Sequence, residues 1–139
     1  MFERKQITNG FQILFSASFD NINLVCSEVE EFLTNNAIQC DVFEIEVGLR
    51  EMLTNAVRHG SGNDPGKVVT FSLHCFGDSL TVTVKDEGKG FDWQSASKHI
   101  SNLTETSGRG MGILQNFFDT IIFNHTGNEI TCVKNITSK

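Results

Sequence analysis

The sequence predicts an α+β fold: a two-layer sandwich whose mixed, mainly antiparallel sheet carries helices on one face. Three observations predict it. Residues 20–35 and 42–59 repeat apolar side chains at three- and four-residue spacing, the period of amphipathic helices. Residues 69–75 and 80–84 alternate apolar and polar side chains around Gly77-Asp78, the pattern of a hairpin. The chain has 139 residues, 39% of them hydrophobic, with a single proline, which suits one domain with a real core. No linker, repeat or low-complexity tract divides it, so residues 1–139 are read as one domain.

Each element has its own local warrant. Residues 11–17 read as a strand. The helix over 20–35 puts Ile22, Val25, Cys26, Val29, Phe32 and Leu33 on one stripe, with Ser18 or Asp20 as its cap. Asp41 followed by Glu44 opens the second helix in the manner of a capping box. Gly60-Ser61-Gly62-Asn63-Asp64-Pro65-Gly66 stops it. In the hairpin, Val69, Phe71, Leu73 and Cys75 share one face, as do Leu80, Val82 and Val84 on the return strand. Gly88, Gly90 and a polar stretch to Ser107 follow, then Gly108-Arg109-Gly110-Met111-Gly112. Residues 113–119 read as a helix. Residues 120–123 and 129–135 read as a last hairpin through Thr126-Gly127-Asn128.

Composition excludes several functions. With 11 basic against 17 acidic residues the net charge is −6, the wrong sign for a general nucleic-acid binder. No apolar run reaches the ~18 residues that span a bilayer. Met1-Phe2-Glu3-Arg4-Lys5-Gln6 has neither the apolar stretch nor the small-residue site of a signal peptide, so a cytoplasmic location is expected. Cys26, Cys40, Cys75 and Cys132 form no C-x-x-C pair and read as reduced, partly buried thiols. His59, His74, His99 and His125 match no zinc spacing.

The second helix separates its side chains sharply. At about 100° per residue, Glu44, Gly48, Glu51, Asn55 and Arg58 share one arc, and Ile45, Leu49, Met52, Leu53, Ala56 and Val57 fill the other. An ordinary solvated helix face accounts for that pattern. A binding face accounts for two further details. Gly48 costs roughly 1 kcal/mol against alanine in a helix interior, which implies a close approach to the backbone there. Glu51 and Asn55 stand one turn apart, where a neutral carbonyl oxygen can hold Mg²⁺ and a carboxylate can take a proton.

Asp86 continues the inward parity of Leu80, Val82 and Val84. A carboxylate there needs donors, since an unpaired buried charge costs several kcal/mol, roughly. Loop amides at a strand end would serve, and so would the amino group of an adenine. Gly88 and Gly90 let the chain turn against a flat ring. The Gly108-Arg109-Gly110-Met111-Gly112 cluster before a helix reads either as a flexible loop or as amides facing an anion, with Arg109 adding charge. Two other phosphate motifs are absent. Around Gly66-Lys67 a P-loop fails at Ser61 and Val68, and the dinucleotide fingerprint from Gly110 and Gly112 fails at Gln115.

In order, Glu51-Met52-Leu53-Thr54-Asn55-Ala56-Val57-Arg58-His59-Gly60, Asp86-Glu87-Gly88-Lys89-Gly90-Phe91-Asp92 and Gly108-Arg109-Gly110-Met111-Gly112 resemble the N, G1 and G2 boxes of the GHKL ATPase superfamily. That superfamily holds gyrase, a heat-shock chaperone, histidine kinases and a mismatch-repair protein. The resemblance spans nearly the whole chain. It is strongest to the bacterial anti-sigma-factor serine/threonine kinases, by the short stand-alone form, the helix before the N box and the brief lid over residues 93–107.

The resemblance implies a Bergerat ATP-binding fold, with ATP and Mg²⁺ as cofactors. It implies Glu51 as general base, Asn55 as Mg²⁺ ligand and Asp86 as reader of the adenine amino group, with Gly88 and Gly90 shaping that pocket. Gly108, Arg109, Gly110, Met111 and Gly112 would wrap the phosphates, and Thr131 matches a threonine that assists adenine binding. His59 matches the N box with a structural role. The implied activity is ATP-dependent phosphorylation of a small antagonist protein, with sequestration of a partner such as a sigma factor, by a homodimer. The alternative is a binding module in which nucleotide toggles partner affinity without phosphotransfer. The catalytic half of a histidine kinase is disfavoured, because 139 residues leave no room for a helical phosphoacceptor domain.

Overall fold

The computed structural model describes residues 1–88, 114–124 and 126–136. A six-stranded sheet in the order β1-β2-β3-β4-β6-β5 forms one layer. Its strands are β1 (Phe2–Ile7), β2 (Gly10–Ser16), β3 (Val68–Phe76), β4 (Ser79–Lys85), β5 (Thr120–Phe123) and β6 (Glu129–Asn135). All five pairings among these strands are antiparallel, so the described sheet has no parallel pair. Helices α1 (Phe19–Asn35) and α2 (Val42–Asn55) form the second layer, on one face. Leu114 to Phe117 form a further helical turn.

Alternation along the strands sorts the two faces. Phe11, Ile13, Phe15, Val69, Phe71, Leu73, Leu80, Val82, Val84 and Cys132 are buried on the inner face. They meet Ile22, Val25, Val29 and Leu33 of α1 and Ile45, Leu49, Met52 and Leu53 of α2. Each such side chain, fully buried, contributes about 1.5–3 kcal/mol. The Phe11 and Phe32 rings, 5.4 Å apart, tie β2 to α1. Lys134 on β6 pairs with Glu44 of α2 at 3.3 Å. The outer face carries a half-buried polar row of Gln12, Ser72, Thr83 and Thr131.

The caps follow the sequence reading. Ser18 caps α1, its hydroxyl accepting from Asn21 N. Asp41 caps α2, accepting from Glu44 N at 3.2 Å. Only that half of the capping box forms, because the Glu44 side chain turns to Lys134. The β3–β4 turn has a left-handed residue at Gly77 alone, φ 55°, which fits a two-residue turn with glycine first. All four cysteines are free, and burial pushes Cys26 up to about 11 and Cys132 up to about 12, so both are protonated thiols.

Three elements depart from the sequence reading, the first being the helix expected over 113–119, which among the described residues is one turn ending at Phe117. Strand β1 was not expected, since residues 3–5 are all charged. It is an edge strand, where charge is tolerated. Its inward Arg4 lies 4.6 Å over the Phe11 ring and pairs with Glu28 at 2.8 Å. The second helix is α-helical only to Asn55; residues Ala56–Gly60 form a π-helical turn, closed by Ser61 N donating to Ala56 O at 2.8 Å.

Candidate functional site

Of the expected site residues that the structure describes, Glu51 and Asn55 lie towards the end of α2, and Asp86 and Gly88 follow the end of β4. Glu51 and Asn55 lie on α2 with half-buried side chains, one turn apart, so their Cβ atoms are about 5–6 Å from each other. Among the described residues neither side chain makes a hydrogen bond. Their neighbours on the same arc are engaged elsewhere: Glu44 with Lys134, and Arg58 over the Phe19 ring at 5.7 Å. The helix therefore presents one free carboxylate and one free carboxamide at its C-terminal end.

Gly48 is not part of that open surface. It is buried, and a Cβ there would overlap the Phe118 ring. The close approach that its glycine implies comes from the protein's own core.

The π-helical turn delivers the backbone to Asp86. A Cβ on Gly60 would overlap the Asp86 carboxyl, and a Cβ on Gly88 would overlap the Gly60 carbonyl. Gly60 does not have a positive φ, so space alone demands glycine at this position. Gly88 N donates to Asp86 Oδ1 at 2.7 Å. The strand-end reading of Asp86 is thus correct for one oxygen, and the second oxygen keeps its capacity for another donor. Glu87 turns away and accepts from Val68 N at 3.0 Å.

Burial pushes the Asp86 carboxyl above its ordinary value near 3.8, while the Gly88 amide holds part of that rise back. The folded state therefore holds the proton more tightly than the unfolded chain. The unfavourable contribution of the charged form is absent below the unfolded value and develops as pH rises through the folded one. Asp86→Asn keeps an acceptor for Gly88 N and removes the charge. Its ligand-free Tm should exceed wild type at pH 7, with the gap narrowing as the buffer is taken down towards the ordinary carboxyl value near 3.8. Identical melting curves at pH 7 would show that no such cost is stored.

The structure does not bring Thr131 to this corner. Thr131 pairs with Thr83, and the two hydroxyls are 3.2 Å apart on the outer face. Asp86 lies on the helix side, where Ile130, opposite Val84, is the residue that β6 turns inward. Gly90, Gly108, Arg109, Gly110, Met111 and Gly112 lie outside the described residues. A cleft lined by Arg4, Gln6, Glu31, Asn35, Cys75 and Gly77 sits at the opposite end of the sheet and shares no residue with the site.

Sequence reasoning read Gly60 as a helix stop and as the end of the N box without its contact to Asp86, and it missed the role of Asn124 and Asn128 in the turn beside Asp86. Asn128 O accepts from Asp86 N at 2.9 Å, a contact no local pattern announces. Among the described residues no helix is long and apolar enough to cross a membrane.

At this corner a helix carries a carboxylate and a carboxamide one turn apart, and the π-helical turn that follows it rests on a partly desolvated aspartate. Residues 15–134 match the histidine kinase-like ATPase domain, and the chain belongs to that ATP-binding family. Within it, the chain is similar to anti-sigma F factors. It is 31% identical to that of Geobacillus kaustophilus (strain HTA426), over 90% of this chain and 89% of the relative. It is 32% identical to that of Anoxybacillus flavithermus (strain DSM 21510 / WK1), over 91% and 90%. The likeness holds at 27% identity over 93% of both chains for that of Thermoanaerobacter sp. (strain X514).

Proposed function

We propose that this protein is an ATP-dependent serine/threonine kinase of the anti-sigma-factor type, acting as one domain over residues 1–139. It phosphorylates a small antagonist protein and sequesters a regulatory partner such as a sigma factor. The observation that carries the reading is the open end of α2: Glu51 and Asn55 free, one turn apart, beside an Asp86 carboxyl seated against Gly60. The relatives' name, anti-sigma F factor, supports the choice of partner.

The residues divide the work. Asp86 takes the adenine amino group on its second oxygen, because its first is occupied by Gly88 N. Gly60, Gly88 and Gly90 keep that wall low enough for a flat ring. Asn55 offers a neutral oxygen fit for Mg²⁺, which when bound offsets phosphate charge. Backbone amides of Gly108, Gly110 and Gly112, with Arg109 and Met111 between them, line the phosphates. Glu51 accepts the proton of the attacking hydroxyl as that oxygen bonds to the γ-phosphorus and the bond to the ADP oxygen breaks. Thr131 has no place in this pocket. We take the protein to act in the cytoplasm as a homodimer, without direct contact with nucleic acid or membrane.

The test uses γ-labelled ATP, Mg²⁺ and cytosolic extract of the source organism, with the labelled species identified by mass and phosphosite. One small protein labelled on serine or threonine only when this protein is present is the expected result. ATP binding together with a partner recovered by pull-down, but no label, would replace the kinase with a nucleotide-gated binding module.

A further inference from the structure

The turn between β5 and β6 grips the Asp86 loop through two asparagines. Asn124 Oδ1 accepts three backbone N–H groups, from Gly127 at 2.7 Å, Asn128 at 3.1 Å and Glu129 at 3.2 Å. Those donors fix which end of the Asn124 amide is oxygen. Its Nδ2 donates to Asn128 Oδ1 at 2.7 Å. The Asn128 amide is oriented in turn, so its Nδ2 points at the Asp86 and Gly88 carbonyl oxygens, 3.4 Å from each. Asp86 N donates to Asn128 O at 2.9 Å on the backbone side of the same grip. Gly88 N then sets the Asp86 carboxyl.

We propose that Asn128, oriented by Asn124, is a positioning residue for purine recognition: it holds the Asp86 to Gly88 loop so that the Asp86 carboxyl presents its second oxygen to an exocyclic amino group. The proposal rests on the adenine reading of Asp86 given above. Asn128 touches no nucleotide and acts through Asp86. Each 3.4 Å contact is weak alone, and the effect is one of direction: one amide placed between two carbonyls sets their separation.

Asn124→Asp separates this role from mere turn stability. The variant keeps an acceptor for the three amides, now strengthened by charge. Its second oxygen faces Asn128 Oδ1, so the Asn128 amide must turn over to donate to it. Asn128 Oδ1 then opposes the Asp86 and Gly88 carbonyls, and the grip is lost while the turn survives. Asn128→Asp places a carboxylate against the same two carbonyls and reaches the same end independently.

The measurement is the ratio of affinities for ATP and inosine triphosphate, which carries a carbonyl in place of the amino group. Melting temperatures are recorded alongside. Wild type should prefer ATP, and Asp86→Ala should abolish the preference. Asn124→Asp and Asn128→Asp should each lower the ratio by about tenfold, the loss of one directed hydrogen bond to a charged group. A turn that is only structural would lower Tm and weaken both nucleotides alike, leaving the ratio at its wild-type value, and that result overturns the proposal. If Asp86→Ala itself leaves the ratio unchanged, the adenine reading falls and the proposal with it. If Asp86→Ala abolishes the ratio and the two asparagine variants preserve it, the reading stands and the grip does not.

Discussion

Gly60→Ala should weaken ATP binding by roughly 10- to 150-fold, the cost of about 1.5–3 kcal/mol for losing a hydrogen bond to a charged group. The added methyl has nowhere to go except into the Asp86 carboxyl. That carboxyl is held from the other side by Gly88 N, and Gly88 itself rests on the Gly60 carbonyl. Relief therefore moves the very group that reads the base. Helix propensity works the other way, since alanine at an ordinary helical φ gains about 1 kcal/mol over glycine. The stability change should be modest while the binding change is large. Gly62→Ala is the matched control. Gly62 has φ +61° and open space around it, so a methyl there strains the backbone by about 1–2 kcal/mol without reaching Asp86. Calorimetric titration with ATP should find Gly62→Ala less stable but normal in affinity, and Gly60→Ala the reverse. Equal ATP affinity in wild type and Gly60→Ala would mean that the Asp86 carboxyl takes no part in binding.

The same corner shows what a sequence displays and what it hides. The last hairpin, residues Thr120–Phe123 and Glu129–Asn135, has the bounds read from the sequence, because short apolar runs on either side of a Gly-Asn turn are local signals. Asp86 was legible as an inward carboxylate for the same reason. The π-helical turn was not. It is closed by Ser61 N on Ala56 O, and it brings Gly60 against Asp86, far along the chain. Gly48 fell on the polar arc of the wheel, yet its surroundings are set by Phe118, which no periodicity within α2 can report. Thr131 was judged by motif, whereas its face is decided by register: opposite Thr83, it points away from the helices. Strand β1 lacked an apolar alternation, and its inward Arg4, on the sheet edge, is received by Phe11 and Glu28. In each case the missing information is a contact between distant segments.

Glu51→Ala should keep ATP binding within about threefold and lose phosphotransfer by roughly 10²–10⁴, the usual share of a general base. The two halves of that expectation have separate grounds. Affinity is retained because Asp86, Gly60 and Asn55 are untouched, and Glu51 is a half-buried helix residue that makes no hydrogen bond among the described residues. Truncation at such a position shifts stability by about 0.5 kcal/mol or less. Rate is lost because no second carboxylate on α2 can replace it. Glu44 shares the arc but is held by Lys134 at 3.3 Å, and Glu46 lies beside Arg50 on the side facing α1. Glu44→Gln is therefore the informative companion: it removes a carboxylate from the same helix and should leave the transfer rate near wild type. Single-turnover transfer from γ-labelled ATP, with ATP affinity measured separately, reads both effects. A Glu51→Ala protein that transfers at the wild-type rate would show that another group takes the hydroxyl proton. If binding and transfer fell together, Glu51 would instead be holding the nucleotide. The expected pattern, intact affinity with a slowed transfer, marks a residue that acts in the transition state rather than in nucleotide binding.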